Sequence, residues 1–189
     1  MERAMAEEFW VFGYGSLMWN PGFAYAERAR ADLDGYARSF CLASVRWRGT
    51  ADYPGLVLAL EPQEGVSCRG IAFRVAGESA TETLAYLRHR ELGTASYFEK
   101  RLPVRLMEDG RTVHALCYVM DTAHEQYRGH LREDERARII ATAHGPAGSN
   151  REYLERTVEH LQDLEVEEPA IRRLAELVDA HPARRREGA

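Results

Sequence analysis

Val11-Phe12-Gly13-Tyr14-Gly15-Ser16-Leu17-Met18-Trp19 follows directly on Phe9-Trp10, near the N-terminus. The apolar run predicts a strand from Phe9 to Tyr14 that feeds a turn with two glycines and a serine. Glycine lets the backbone take φ > 0 and come close to a ligand. Successive backbone N–H groups in such a turn can converge into an anion-binding nest. The opening is therefore read as a strand that delivers a positioning turn to one end of a sheet. An empty tight turn is the competing reading at this point.

Working outward, Arg38 to Val45, Leu56-Val57-Leu58-Ala59-Leu60 and Gly70 to Val75 read as further strands. Ser79-Ala80-Thr81-Glu82 fits a capping box, so a helix is expected from Ser79 to about Leu92, stopped by Gly93. Strands follow over about Tyr97–Met107 and Thr112–Met120. The second is apolar on both faces and is expected to be central. Helices are predicted over Glu133–Thr142, from a second capping box at Ser149 with Leu154, Val158 and Leu161 on one stripe, and over about Pro169–Ala180. Strands dominate the first two thirds and helices the last, which gives an α+β class: a mixed or barrel-like sheet with helices at its side.

The chain has 189 residues, 45% hydrophobic and 29% charged, with a net charge of −5. One domain with a sizeable core is expected, over residues 9–180, with residues 1–8 and 181–189 as flexible termini. No basic face is evident, which argues against nucleic acid as a partner. No apolar run approaches the ~18 residues of a membrane span, and the acidic start has no signal-like core. A cytoplasmic protein is expected. Cys41, Cys68 and Cys117 are odd in number and far apart, so neither a disulfide framework nor a CxxC site is read from them. The seven histidines form no ligand-spaced cluster, so no metal site is expected.

The glycine turn fails the better-known motif tests. Met18 stands where a dinucleotide fingerprint needs its third glycine, and no Gly-Lys-Ser/Thr ending makes a P-loop. Tyr14 and Met18 stand where a nucleophile elbow around Ser16 needs glycines. Glu91 is the second informative residue. It continues the stripe Ala80, Leu84, Leu87 at steps of three and four, which places a carboxylate on the buried face of the helix. It also lies in the last turn, where the helix dipole disfavours a negative charge. Both effects raise its pKa and suit it to general acid/base work. The bland alternative is neutralisation by Arg88 or Arg90. Tyr153 reads as a packing tyrosine in the first turn of its helix. Arg46 and Arg48 flank Trp47 beyond a strand, where a cation could meet an anionic ligand.

Five blocks in order resemble the ChaC-type γ-glutamylcyclotransferase family. They are Val11 to Pro21, Arg48-Gly49-Thr50, Pro54 to Leu60, Tyr86-Leu87-Arg88-His89-Arg90-Glu91, and Gly145 to Leu154. The resemblance spans about Phe9 to Ala180. It implies a γ-glutamylcyclotransferase-like fold, a small mixed β-barrel with helices around it. It also implies cleavage of glutathione to 5-oxoproline and cysteinylglycine, with no metal or cofactor. Residue by residue, it implies that Tyr14, Gly15, Ser16 and Leu17 grip the γ-glutamyl group, that Glu91 is the catalytic acid/base, and that Tyr153 closes the pocket. Arg48 would help to hold the substrate. Leu92-Gly93-Thr94-Ala95-Ser96 departs from the family pattern, so selectivity for the leaving group is less defined than the chemistry. Cyclotransfer on other γ-glutamyl amino acids or amines, and non-catalytic γ-glutamyl binding, stand as alternatives.

Overall fold

The computed structural model describes residues 7–93 and 95–182. Its chain order is β1 (Phe9–Gly13), a 3₁₀ turn (Ser16–Met18), β2 (Glu27–Ser44), β3 (Gly55–Val75), α1 (Gly77–Glu91), β4 (Tyr97–Leu106), β5 (Thr112–Met120), α2 (Glu133–Thr142), β6 (His144–Gly145), β7 (Gly148–Ser149), α3 (Asn150–Asp163) and α4 (Pro169–Asp179). Strands close a barrel in the order β1-β3-β2-β4-β5. The expected α+β class, with a small mixed barrel and helices, holds. Contacts divide the chain into two compact units: Met1–Arg38 with Leu60–Asp121, and Ser39–Ala59 with Thr122–Ala189.

The first unit carries most of the barrel and α1. β1 pairs antiparallel with β3, with Phe9 opposite Val75, and parallel with β5, with Trp10 opposite Ala115. All five β1 residues are buried because each face has its own partner. Trp10 and Phe12 point into the barrel interior with Ala31, Leu33, Leu60, Cys68, Val104 and Val119. Phe9 and Val11 point the other way, into a second cluster with Ala80, Leu87, Leu116 and Tyr118. The period-2 alternation of a strand thus serves two cores at once. β5 does the same, with Ala115, Cys117 and Val119 inward and Leu116 and Tyr118 outward. β5 lies between β1 and β4, but in a closed barrel every strand has two neighbours, so no strand is central.

In the second unit α2, α3 and α4 pack on one another. Ala137, Ile140, Leu154, Leu161, Ile171, Leu174 and Val178 are the buried apolar residues of these three helices. Ser149 caps α3 as expected, its Oγ accepting from the N–H of Glu152 at 3.1 Å.

Three element readings need correction. Ser79 does not cap α1. The helix starts at Gly77 after Ala76, whose side chain makes no cap bond. Glycine at the first position does not signal a start, whereas Ser79 and Glu82 mimic one two residues late. Leu56–Leu60 and Gly70–Val75 are two ends of one 21-residue strand, and β2 begins eleven residues before Arg38. The start of β2 alternates exposed charged residues with buried alanines, and the middle of β3, Pro62–Gly65, is exposed, so neither stretch carries an apolar run. The end of α1 falls where expected, with Glu91 last and Leu92 as its C-cap, but Gly93 has no positive φ, whereas Ala95 has φ 54°. Of the expected flexible termini, residues 1–6 and 183–189 lie outside the described residues, and Glu8 forms an ion pair with Arg74 at 3.0 Å.

Candidate functional site

In the first unit, β1 delivers the chain into the 3₁₀ turn. Its first bond runs from the Met18 N–H to the Gly15 carbonyl at 2.9 Å. The amides of Ser16 and Leu17 precede that bond, as the opening donors of any helix do. Leu17 and Tyr14 are buried, at 5% and 7% exposure, and Ser16 is half-buried. Leu17 sits in the same apolar cluster as Leu87 of α1, which sets the turn against the helix.

Arg90, near the end of α1, holds this turn. Its Nη2 donates to Ser16 Oγ at 2.8 Å. Its Nη1 donates to the carbonyl oxygens of Asn20 and Pro21 at 3.0 and 3.3 Å, and to Tyr86 Oη at 2.9 Å. Its Nε faces Glu91 Oε1 at 3.1 Å. One guanidinium therefore spans the motif turn and the motif glutamate. Ser16 Oγ accepts from a cation, which lowers rather than raises the nucleophilicity of that oxygen.

Glu91 is partly buried rather than fully so, with a side chain 17% exposed. Burial raises its pKa above the ordinary carboxylate value, and the charge of Arg90 opposes this in part. Glu99 on β4 is the instructive contrast. Its side chain is 22% exposed, yet its pKa is lowered, because Arg88 grips it through two bonds of 2.8 and 2.7 Å. Bidentate pairing of this kind strongly favours the charged carboxylate. Arg90 commits its terminal nitrogens to Ser16, Asn20, Pro21 and Tyr86, so Glu91 gains no such grip. Tyr118 on β5 lies under this helix end and makes a long 3.4 Å contact to Glu99 Oε2. Burial, with the charges of Glu99 and Glu91, raises its pKa, so its phenol stays protonated. The Glu91 carboxylate, with its pKa raised, is a stronger base than an ordinary carboxylate and can take and return a proton. Burial pushes the Cys117 thiol up to about 12, so it carries no thiolate at neutral pH.

In the second unit the remaining motif blocks meet. Arg48 Nη1 donates to the Ser149 carbonyl at 3.2 Å and lies 3.5 Å from Glu152 Oε2. Its guanidinium also stands 5.4 Å from the ring centre of Tyr153, which packs edge-on against Phe40. Arg48 is thus committed to the start of α3, and Arg46 is exposed. Asn150 is fully buried. Its Oδ1 accepts from the Leu56 N–H at 2.6 Å and its Nδ2 donates to the Leu56 carbonyl at 2.7 Å. A Cβ on Gly55 would strike the Arg48 carbonyl, and one on Gly145 would strike the Trp47 carbonyl and the Gly49 amide. These two positions need glycine because backbones meet there.

Arg90 is read from the sequence only as an ion-pair partner of Glu91, and the 3.1 Å contact is present; its hold on the turn and the role of Asn150 are beyond a reading of composition and stripe. The hold on the turn had one usable signal, the place of Arg90 four residues after Tyr86 on the same helix face. Asn150 carried none, since a polar residue at a helix start reads as solvated. Among the described residues no group of three or more His, Cys, Asp or Glu side chains could hold a metal ion.

A family model described as ChaC-like protein matches residues 9–181. The chain is 42% identical to the glutathione-specific gamma-glutamylcyclotransferase of Escherichia coli over 145 residues, covering 77% of this chain and 62% of that protein. It is 38% identical to gamma-glutamylcyclotransferase 2-1 of Arabidopsis thaliana over 175 residues, covering 88% and 80%. A crystal structure of a yeast gamma-glutamyl cyclotransferase specific to glutathione superposes with a TM-score of 0.81 at 26% identity, covering 92% of this chain and 96% of that one.

Proposed function

The chain belongs to the ChaC-like protein family, and from that premise we propose that it is a γ-glutamylcyclotransferase that cleaves glutathione to 5-oxoproline and cysteinylglycine. The observation that carries the reading is the joining of a carboxylate of raised pKa to the glycine turn through one arginine. Names of the E. coli and yeast relatives support glutathione as the substrate.

The reaction is intramolecular. The substrate's α-amine nitrogen attacks its own γ-carbonyl carbon and closes a five-membered ring. The C–N bond to the cysteinyl residue then breaks. One C–N bond forms, one is lost, and no water is consumed. The amine must first lose the proton of its ammonium form, and the departing nitrogen must gain one. Glu91 takes the first and returns it to the second. A raised pKa makes Glu91 a stronger base for the first transfer than an ordinary carboxylate.

The flexible γ-glutamyl chain must also be folded for attack, and a well-oriented intramolecular reaction gains several kcal/mol of barrier in this way, roughly 7–11 in favourable cases. Tyr14, Gly15, Ser16 and Leu17 are assigned to that task. Amides of the turn hold either the α-carboxylate or the developing oxyanion, and an oxyanion donor contributes about 3 kcal/mol. The assignments of Arg48 and Tyr153 to the substrate rest on the motifs they belong to. Residues 9–180 act as one functional domain in this reading, which the span of the family match supports. A cytoplasmic location is part of the same proposal. It is supported by three buried cysteines that form no disulfide among the described residues.

Rates on glutathione and on γ-glutamylalanine, followed by 5-oxoproline release, test the proposal. Preference for glutathione is expected. Preference for γ-glutamylalanine makes the protein a cyclotransferase of other γ-glutamyl compounds, and binding without turnover makes it a γ-glutamyl-binding protein.

A further inference from the structure

We propose that Arg90 is a positioning residue of the reaction, one that registers the glycine turn against the Glu91 carboxylate and leaves that carboxylate free to exchange a proton. The inference rests on the assignment of Glu91 as the acid/base.

The geometry divides one guanidinium between two duties. Nη1 and Nη2 face the turn, through Ser16 Oγ and the Asn20 and Pro21 carbonyls. Nε faces Glu91. Tyr86 Oη, one helical turn earlier, accepts from Nη1 and fixes the plane of the fork. Space for that hydroxyl exists because Gly22, at φ +75°, has no side chain; a Cβ there would collide with Tyr86 Oη. Arginine suits the task because its five donors lie in a rigid plane, whereas lysine offers a single ammonium.

The electrostatic consequence follows from the same division. Glu91 is faced by Arg90 on its own helix and by Tyr118 from β5, with Glu99 of β4 beyond Tyr118 and already held by Arg88. Arg90 supplies enough charge to offset part of the burial, without the bidentate grip that lowers the pKa of Glu99. Replacing Arg90 acts on position through the turn and on protonation through the carboxylate.

The test compares Arg90→Met and Arg90→Lys with the parent protein, by kcat and KM for glutathione across pH and by thermal melting. Arg90→Met is expected to lose about 100-fold in kcat with a smaller change in KM, the scale of a misplaced reacting group. Its acidic limb is expected to move to higher pH, because the opposing charge is gone. Arg90→Lys keeps the charge, so its acidic limb stays in place while kcat falls about 10-fold. Where Arg90→Met fails to fold, Arg90→Lys decides: parental kcat overturns the inference, and a lowered kcat with an unmoved limb supports it. A folded Arg90→Met with parental kcat and limb overturns it, as does a loss of activity that only tracks the unfolded fraction. Glu91→Gln is measured alongside. Near-normal turnover there overturns the acid/base assignment and this inference with it, whereas lost turnover there beside unchanged Arg90 variants overturns the inference alone.

Discussion

Glu91 Oε1 lies 3.1 Å from Nε of Arg90, the residue just before it in α1, and still has a raised pKa. Burial outweighs the ion pair because the remaining donors of Arg90 bind the glycine turn. The base form of Glu91 is the one that accepts the ammonium proton, so protonation on the acid side removes activity. The acidic limb of kcat/KM is expected to lie above the ordinary carboxylate range. A pH profile with a limb at or below that range contradicts the assignment.

Stability carries the same shift with a fixed sign. A carboxyl whose folded-state pKa exceeds its unfolded value favours the fold fully below the unfolded value. That contribution is lost as pH rises through the folded value. Glu91→Gln removes the buried charge, and burial is the larger cause of the shift. Its melting temperature is therefore expected to exceed the parent's at neutral pH, with the gap closing on acidification. Thermal melts at several pH values check this.

Ser16 accepts a 2.8 Å bond from Arg90 and is assigned no covalent step. Ser16→Ala is expected to slow turnover about 10-fold, within the range of a lost positioning bond. A covalent nucleophile would give near-complete loss and a trappable acyl-enzyme, which mass spectrometry would detect.

Legibility in the sequence divided along physical lines. β1, β5, α2 and α4 were readable because apolar periodicity and length alone determine them. The buried place of Glu91 was readable for the same reason, from the steps Ala80, Leu84, Leu87 and 91. What escaped was set by tertiary closure. β2 opens on a charged, alternating stretch and β3 crosses an exposed stretch at Pro62–Gly65, and neither stretch shows the apolar run that marks a strand. The start of α1 at Gly77 lacks any capping side chain. Arg88 and Arg90 are the same residue type two positions apart. Only the fold sends one to Glu99 and the other to Ser16 and Glu91.

Asn150 satisfies both backbone groups of Leu56 with one side-chain amide. Asn150→Ala would leave a buried N–H and a buried carbonyl without these bonds, at about 1–3 kcal/mol each. A loss of about 2–6 kcal/mol in denaturant unfolding is expected, on the same principle. Asn150→Asp keeps the acceptor but faces the Leu56 carbonyl with a carboxylate, so it is expected not to restore stability. Recovery of parental stability by the aspartate would contradict this account of the residue.

The most direct measurement of the central claim is product analysis with glutathione for the parent protein and Glu91→Gln. Equimolar 5-oxoproline and cysteinylglycine are expected from the parent, and a loss of about 1,000-fold or more from Glu91→Gln, toward the upper range of removing a general acid/base. Free glutamate in place of 5-oxoproline, or near-parental release of 5-oxoproline by Glu91→Gln, would contradict it.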